Sequence, residues 1–444
     1  MNRYFRLSAL MLALALPALG GCGSKPAVEM PAAATTFTIP ELKARPASLN
    51  AREFGLVRKK VDNLVARIRA NPEDAKSLVL LARIYMTEAR ITGDHPYYYP
   101  AAESLLDRAM QVDPGFAPAI IAKGSVLLSL HRFADALEVG KRAVIVAPKE
   151  AACYGILCDA YGELGNYPEA IKAADAMVAV RPDLMSYSRV SYMRELHGDD
   201  AGAIEAMKMA VQAGVPGFEE TAWARYTLGN LYRQTGDMKS AEPAYQMAIA
   251  ERDGYPFALA GLAHIEAVKG NSALAIRMLD TAARLMPEYS FVELKGEILR
   301  VAGDTRAADS LVSVVETMLA QDEAAGHRVD LAYALLYNTN RIKPEAALER
   351  AMKELNLRPE NLEAQHGMAF ALFRAGRIAE AKDYITKAMR TGWTRPDLLA
   401  HAGLIEAAAG NTAVAHTMLA KASSNGRELS PLLLQEVKTV LAAK

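Results

Sequence analysis

Residues 151–184 read AACYGILCDAYGELGNYPEAIKAADAMVAVRPDL. Large side chains stand at positions 4, 7 and 11 of this stretch (Tyr154, Leu157, Tyr161), and small ones at positions 8 and 20 (Cys158, Ala170). The spacing predicts two amphipathic helices on either side of a break at Gly165, with Pro182 ending the second. Two antiparallel helices approach closely only where small side chains face each other, and a leucine there would overpack at a cost of roughly 1–3 kcal/mol.

The same pattern returns along the chain at steps close to 34 residues. Units begin near 75, 117, 151, 184, 222, 256, 289, 328, 362 and 396. Position 20 is Ala102, Ala136, Ala170, Ala203, Ala241, Ala275, Ala308, Ala347, Ala381 and Ala415. Position 8 is small wherever the register is clear: Gly124, Cys158, Ser191, Gly229, Ala263, Gly296, Ala369 and Gly403. The turn carries Gly165, Gly198, Gly236, Gly270, Gly303, Gly376 and Gly410. This pattern resembles the tetratricopeptide repeat over residues 75–427. The resemblance implies an all-α fold: an α-solenoid wound as a right-handed superhelix of about ten helix–turn–helix units, with first helices lining a concave groove. The unit near 328 departs most from the pattern.

Stacked units leave two ends to be covered. Residues 50–74 read as an N-terminal capping helix, with Phe54, Val57, Val61, Leu64, Val65 and Ile68 at helical spacing. Residues 428–444 read as a C-terminal capping helix, opened by Ser430 and Pro431 and covering the last unit with Leu433, Leu434, Val437, Val440 and Leu441. The first unit carries extra residues near ITGDHPYYYP (91–100), read as a loop whose three tyrosines either offer a contact surface or, as is more common, fold back onto their own helix ends.

Ahead of the repeats, Arg3 and Arg6 precede an apolar run over 7–16, too short to span a bilayer and the right size for a signal-peptide core. Leu19-Gly20-Gly21-Cys22 follows. It resembles the lipobox of bacterial lipoproteins, which implies a signal peptide over 1–21 and acylation (palmitate among the acyl groups) at Cys22, the lipidation site. Gly23 in place of Asp favours sorting to the outer membrane, so the localisation implied is the cell envelope, lipid-anchored and facing the periplasm. Residues 22–49, with Pro26, Pro31, Pro40 and Pro46, read as a flexible tether.

The 51 basic and 51 acidic residues among 444 balance, so no charge excess points to nucleic acid. No HExxH, glycine-rich phosphate loop, G-x-S-x-G or Cys-x-x-Cys occurs. No catalytic residue, cofactor or metal is therefore expected, and the eight histidines are scattered, although His366 and His401 fall on consecutive first helices. Cys153 and Cys158 lie five residues apart on one predicted helix, about 7.5 Å along its axis, beyond the reach of a disulfide. Both are expected as free thiols.

In this family, positions 2, 5, 9, 12 and 13 of each first helix line the groove. Here they give a candidate partner-binding cluster of Tyr192, Glu195, Trp223, Tyr226, Asn230, Arg233, Phe257 and His264. Trp, Tyr and Arg dominate binding hot spots. Glu363, His366, Phe370, Phe373 and Arg374 form a second patch. The Lys-and-Asn clamp for a peptide carboxylate is not made, because Tyr226 stands where the lysine would be. The reading is a non-enzymatic scaffold or adaptor whose groove holds a segment of another protein, assisting assembly of an envelope complex. Two alternatives remain: a glycan- or peptidoglycan-binding module using the Trp223–Tyr226–Phe257 cluster, and an active site around His264, Glu297 and Arg300.

Overall fold

The computed structural model describes residues 37–45, 51–424 and 429–443. The chain divides after Ile39. Of the first unit only residues 37–39 are described, and they form neither helix nor strand. Cys22 and the signal-peptide reading lie outside the described residues.

From Pro40 onward every regular element among the described residues is a helix. Helix α1 (Ala51–Ala70) comes first, followed by pairs. These are α2 (Ala75–Thr92) with α3 (His95–Val112), α4 (Ala117–Ser129) with α5 (Phe133–Val146), and α6 (Ala151–Glu163) with α7 (Tyr167–Val180). Then come α8 (Leu184–Leu196) with α9 (Asp200–Ala213), α10 (Glu219–Thr235) with α11 (Met238–Glu251), and α12 (Pro256–Val268) with α13 (Ser272–Leu285). The last four pairs are α14 (Tyr289–Val301) with α15 (Thr305–Ala324), α16 (Asp330–Asn340) with α17 (Pro344–Leu357), α18 (Leu362–Arg374) with α19 (Ile378–Ala388), and α20 (Pro396–Ala408) with α21 (Thr412–Ser423). Helix α22 (Pro431–Ala442) closes the chain. Each helix packs on its partner and then on the next pair, and first helices touch first helices. The architecture is an α-solenoid.

All ten position-20 alanines are buried. The small residue at position 8 has a different partner from the one expected. A Cβ on Gly229 would meet Tyr245 Cε1 at 2.6 Å, and one on Gly403 would meet Leu419 at 2.7 Å. Tyr245 and Leu419 stand at position 24, so in these two units position 8 is small to admit a large side chain one turn beyond the alanine, whereas Gly124 makes room for Ile156 of the next unit. Ser191 reaches position 20 directly, donating to the Ala203 carbonyl at 2.8 Å.

Each of the ten turns inside a pair holds a residue in the left-handed region, and the turn of unit 8 holds two. Eight are glycines, among them Gly165 at φ 82° and Gly270 at φ 88°. Three are not: His131 and Arg341, both at φ 55°, and Lys343 at φ 46°. A side chain there costs about 1 kcal/mol, because Cβ crowds the following carbonyl.

The solenoid closes on itself. The turn of unit 1 lies on the start of unit 7, where Gly93 approaches Met286 and Pro287. In unit 2, His131 Nδ1 lies 3.0 Å from the Arg328 carbonyl at the start of unit 8. In unit 3, the Tyr167 hydroxyl accepts from the Leu362 amide at 2.9 Å, at the start of unit 9. In unit 4, Thr391 Oγ1 donates to the Leu196 carbonyl at 2.5 Å, just before unit 10. Units 1 to 4 thus meet units 7 to 10, a repeat of six units per superhelical turn.

Three expectations are corrected. Residues 40–45 do not behave as a free tether. The Tyr85 hydroxyl donates to the Pro40 carbonyl at 2.5 Å and the Tyr97 hydroxyl to the Glu41 carbonyl at 2.6 Å. Arg45 forms a two-point pair with Glu88 at 2.7 and 2.6 Å, both side chains buried. The tyrosines of 97–99 are therefore not a loop surface: they open α3, Tyr97 and Tyr98 hold this segment, and Tyr99 packs against His327 in the seam. The C-terminal helix is not simply the next layer of the stack. It packs on α20 and α21 but also on α14, three units back, and so crosses the concave face. The cause is polar: Glu297 and Arg374 on the concave wall supply partners for the amide end and the carboxylate of α22.

Candidate functional site: the concave surface

Each first helix presents one face to the lumen. In the first turn this wall encloses a cavity of about 970 Å³. Its apolar lining includes Met86, Ile121, Met185, Met207 and Trp223. Methionines adapt to irregular apolar shapes and tryptophan offers a rigid face with one donor. Charges frame the apolar floor in pairs. Arg189 grips Asp159 at 2.8 and 2.5 Å, and Arg90 reaches Glu219 at 3.3 Å and Glu220 at 3.1 Å. Arg83 stands at the mouth.

The candidate cluster divides into three. Tyr192, Glu195 and Trp223 line the first-turn cavity. Burial pushes the Glu195 carboxyl up to about 7, with Arg395 across the seam opposing it. Tyr226 and Phe257 instead stack within the wall, centroids 5.5 Å apart, and extend to Phe291. They seal adjacent helices. Asn230, Arg233 and His264 form a polar chain. The Tyr245 hydroxyl donates to Asn230 at 2.7 Å and accepts from Arg233 at 3.1 Å. Arg233 lies 3.0 Å from His264 Nδ1, and His264 Nε2 lies 3.2 Å from the Leu429 carbonyl, which leads into α22.

The second patch is occupied. Arg374 makes a bidentate pair with Glu436 of α22 at 2.8 and 2.7 Å, and Arg341 adds a third contact at 2.9 Å. Glu297 accepts from the Leu432 amide at 3.3 Å, placing a carboxylate at the positive end of α22. Glu297 thus holds the chain's own terminal helix, and Arg300 is tied to Asp309 and Asn340. Of the three residues considered for chemistry, His264 and Glu297 thus contact α22 or the segment leading into it, and Arg300 bonds within the wall. A cavity of about 690 Å³ remains beside it, walled by α22 on one side and by His366, Phe370 and His401 on the other.

His366 and His401 do come together, with Nε2 and Nδ1 2.8 Å apart, and Phe370 stacks on His401 at 3.8 Å. Burial lowers His366 to about 4, so the pair is neutral near pH 7. No group of three or more His, Cys, Asp or Glu side chains among the described residues is arranged to hold a metal. Cys153 and Cys158 are free thiols, both buried.

Sequence reasoning missed the lumen's charge. Burial raises Glu163 and Glu288 to about 7 and Glu293 to about 8. Glutamates at groove positions were visible, but their crowding depends on how six units wind into a turn. It also missed Met185 and Met207, which read as ordinary helix residues.

Residues 157–217 and 224–252 match tetratricopeptide-repeat family models. These two segments carry tetratricopeptide repeats. No curated protein matches it. Among solved structures, a thermophilic TPR protein of Thermus thermophilus is 22% identical over 40% of this chain and 91% of its own, with a TM-score of 0.35. Yeast Tom70 is 12% identical over 88% of this chain and 93% of its own, at 0.36. PilF of Pseudomonas aeruginosa is 15% identical over 46% of this chain and 92% of its own, at 0.38. These likenesses are of fold alone.

Proposed function

We propose that the chain is a membrane-anchored scaffold that holds a segment of another envelope protein in the lumen of its first superhelical turn. The anchor is the acylated Cys22, the location the periplasmic side of the outer membrane, and the role assembly of an envelope complex such as a secretion, pilus, polysaccharide-export or wall-remodelling machine. One observation carries the binding reading. The concave wall of the second turn already holds a helix, α22, while the same wall in the first turn presents an apolar, charge-framed cavity of about 970 Å³. The glycan alternative loses its cluster, because Tyr226 and Phe257 are committed to wall packing and Trp223 alone reaches the cavity.

The test places a photo-crosslinking amino acid at Trp223 and, as a control, at Ile145, which is 80% exposed outside the lumen. A discrete protein adduct from position 223 in intact cells, absent from position 145, is expected. The same adducts from both positions, or adducts with cytoplasmic proteins alone, reject the reading. Radiolabelled palmitate incorporation should vanish in Cys22→Ala; label that persists removes the anchor.

A further inference from the structure

We infer that the concave face of units 7 to 10 is a second, regulated docking surface, built for an amphipathic helix from a partner, with α22 as its resident stand-in. This rests on the scaffold reading and specifies the chemistry of one of its ligands. The partner helix opens with a hydroxyl-capped turn, carries two leucines in its first turn and places a carboxylate about one turn later, as α22 does with Ser430, Leu432, Leu433 and Glu436.

Four observations support it. First, the groove recognises α22 by groups that any such helix would satisfy: Glu297 takes the first-turn amide, and Arg374 with Arg341 takes the carboxylate. Charge complementarity therefore fixes the direction and register of the occupant. Second, Arg341 holds a strained left-handed conformation where eight other turns use glycine, and its guanidinium is spent on Glu436. Retained strain at a ligand contact is the signature of a functional position. Third, α22 is shallowly seated: Leu433 and Val437 are buried, while Leu434, Val440 and Leu441 pack on the same core only half-covered. Fourth, a cavity of about 690 Å³ stays open between α22 and the wall, so the groove is larger than the helix now in it. A partner with bulkier apolar residues fills that space and displaces α22.

The experiment uses the full chain and a fluorescent synthetic peptide of residues 429–443. Anisotropy titrations compare the native chain with Leu433→Asp, whose own α22 cannot seat. The variant is expected to bind the peptide at least tenfold more tightly than the native chain. Adding Arg374→Glu should lower that binding at least tenfold, and a peptide carrying Glu436→Arg should restore it. Equal binding to the native chain and to Leu433→Asp, or no effect of Arg374→Glu, overturns the inference. If Leu433→Asp fails to fold, Glu436→Arg in the full chain gives the same comparison with the core untouched. Amide exchange of the native chain adds a second readout: α22 should exchange faster than α20 and α21, and equal protection also overturns it. Concentration-dependent dimers that take up no peptide would put a second copy's α22 in the groove and reject an outside partner. Peptide uptake with no crosslink at Trp223 would sustain this inference while removing the first-turn site.

Discussion

At the scale of single residues, the left-handed turn position separates local from global constraint. Gly165 and Gly376 occupy the same place in their units and share a positive φ. A Cβ on Gly376 meets nothing within 4 Å, whereas one on Gly165 would sit 2.2 Å from the Glu360 carbonyl carbon, in the next superhelical turn. Gly376→Ala should therefore lose only the conformational cost, about 1 kcal/mol. Gly165→Ala must also force the neighbouring backbones away from each other. It should lose more than about 2 kcal/mol, the left-handed cost and the overpacking cost together, while enlarging the molecule. Denaturant melts with small-angle scattering check both; equal losses would mean the seam contributes nothing. His131 shows the same logic inverted. A histidine tolerates the strained φ here because its ring bonds the Arg328 carbonyl across the seam and stacks on Phe133.

At the scale of elements, the segment 40–45 and helices α1 and α22 share one device: each is held by a carboxylate–guanidinium contact to a distant element. Arg45 pairs with Glu88 of α2 and Glu53 of α1, and Glu53 in turn meets Arg252 beyond α11. Removing one member of a buried pair leaves an uncompensated charge, at about 3–5 kcal/mol. Arg45→Met should destabilise by about that much, since Glu88 has no exposure. The double change Arg45→Met with Glu88→Leu should recover most of the loss. A thermal double-mutant cycle measures it, and an Arg45→Met chain as stable as the native one would show that residues 40–45 are not docked in solution.

At the scale of the whole molecule, stacking and winding bury both carboxyls and histidines, His95 and His327 at the seam and His366 on the concave wall of the second turn. Burial raises Glu293 to about 8, and Glu163, Glu195 and Glu288 to about 7, above the ordinary 4.5. An acid with a raised folded pKa binds its proton more tightly when folded, so its contribution is complete below 4.5 and fades as pH rises towards 8. Burial lowers His95, His327 and His366 to about 4. A base with a lowered folded pKa contributes fully above 6.5, and the contribution is lost as pH falls towards 4. Between about pH 6.5 and 8 only the glutamates act, and stability should fall with rising pH. Scanning calorimetry should find a higher midpoint at about pH 6.5 than at about pH 8. Glu293→Gln should raise the midpoint at the upper end of that range and leave the midpoint at about pH 4.5 nearly unchanged. A flat profile across the range would mean these carboxyls are hydrated.

The sequence by itself determined the solenoid, because the features that make a unit are local. Ala170 and its nine counterparts, the small residue at position 8 and the turn residue all act within about 34 positions, and periodicity records them. It also indicated the thiols' separation and which faces look inward. Tertiary structure alone decided what the inward faces do. Gly165 meets Glu360, and Tyr226 turns to wall packing rather than to the lumen, only after the small rotation from each unit to the next has accumulated over six units. That rotation is set by many side-chain volumes at once and leaves no period in the sequence. The seating of α22 likewise depends on Glu297, Arg341 and Arg374, brought to one place by three separate units. Contacts between residues so far apart in the chain are fixed by the sum of the packing, which no stretch of the sequence contains.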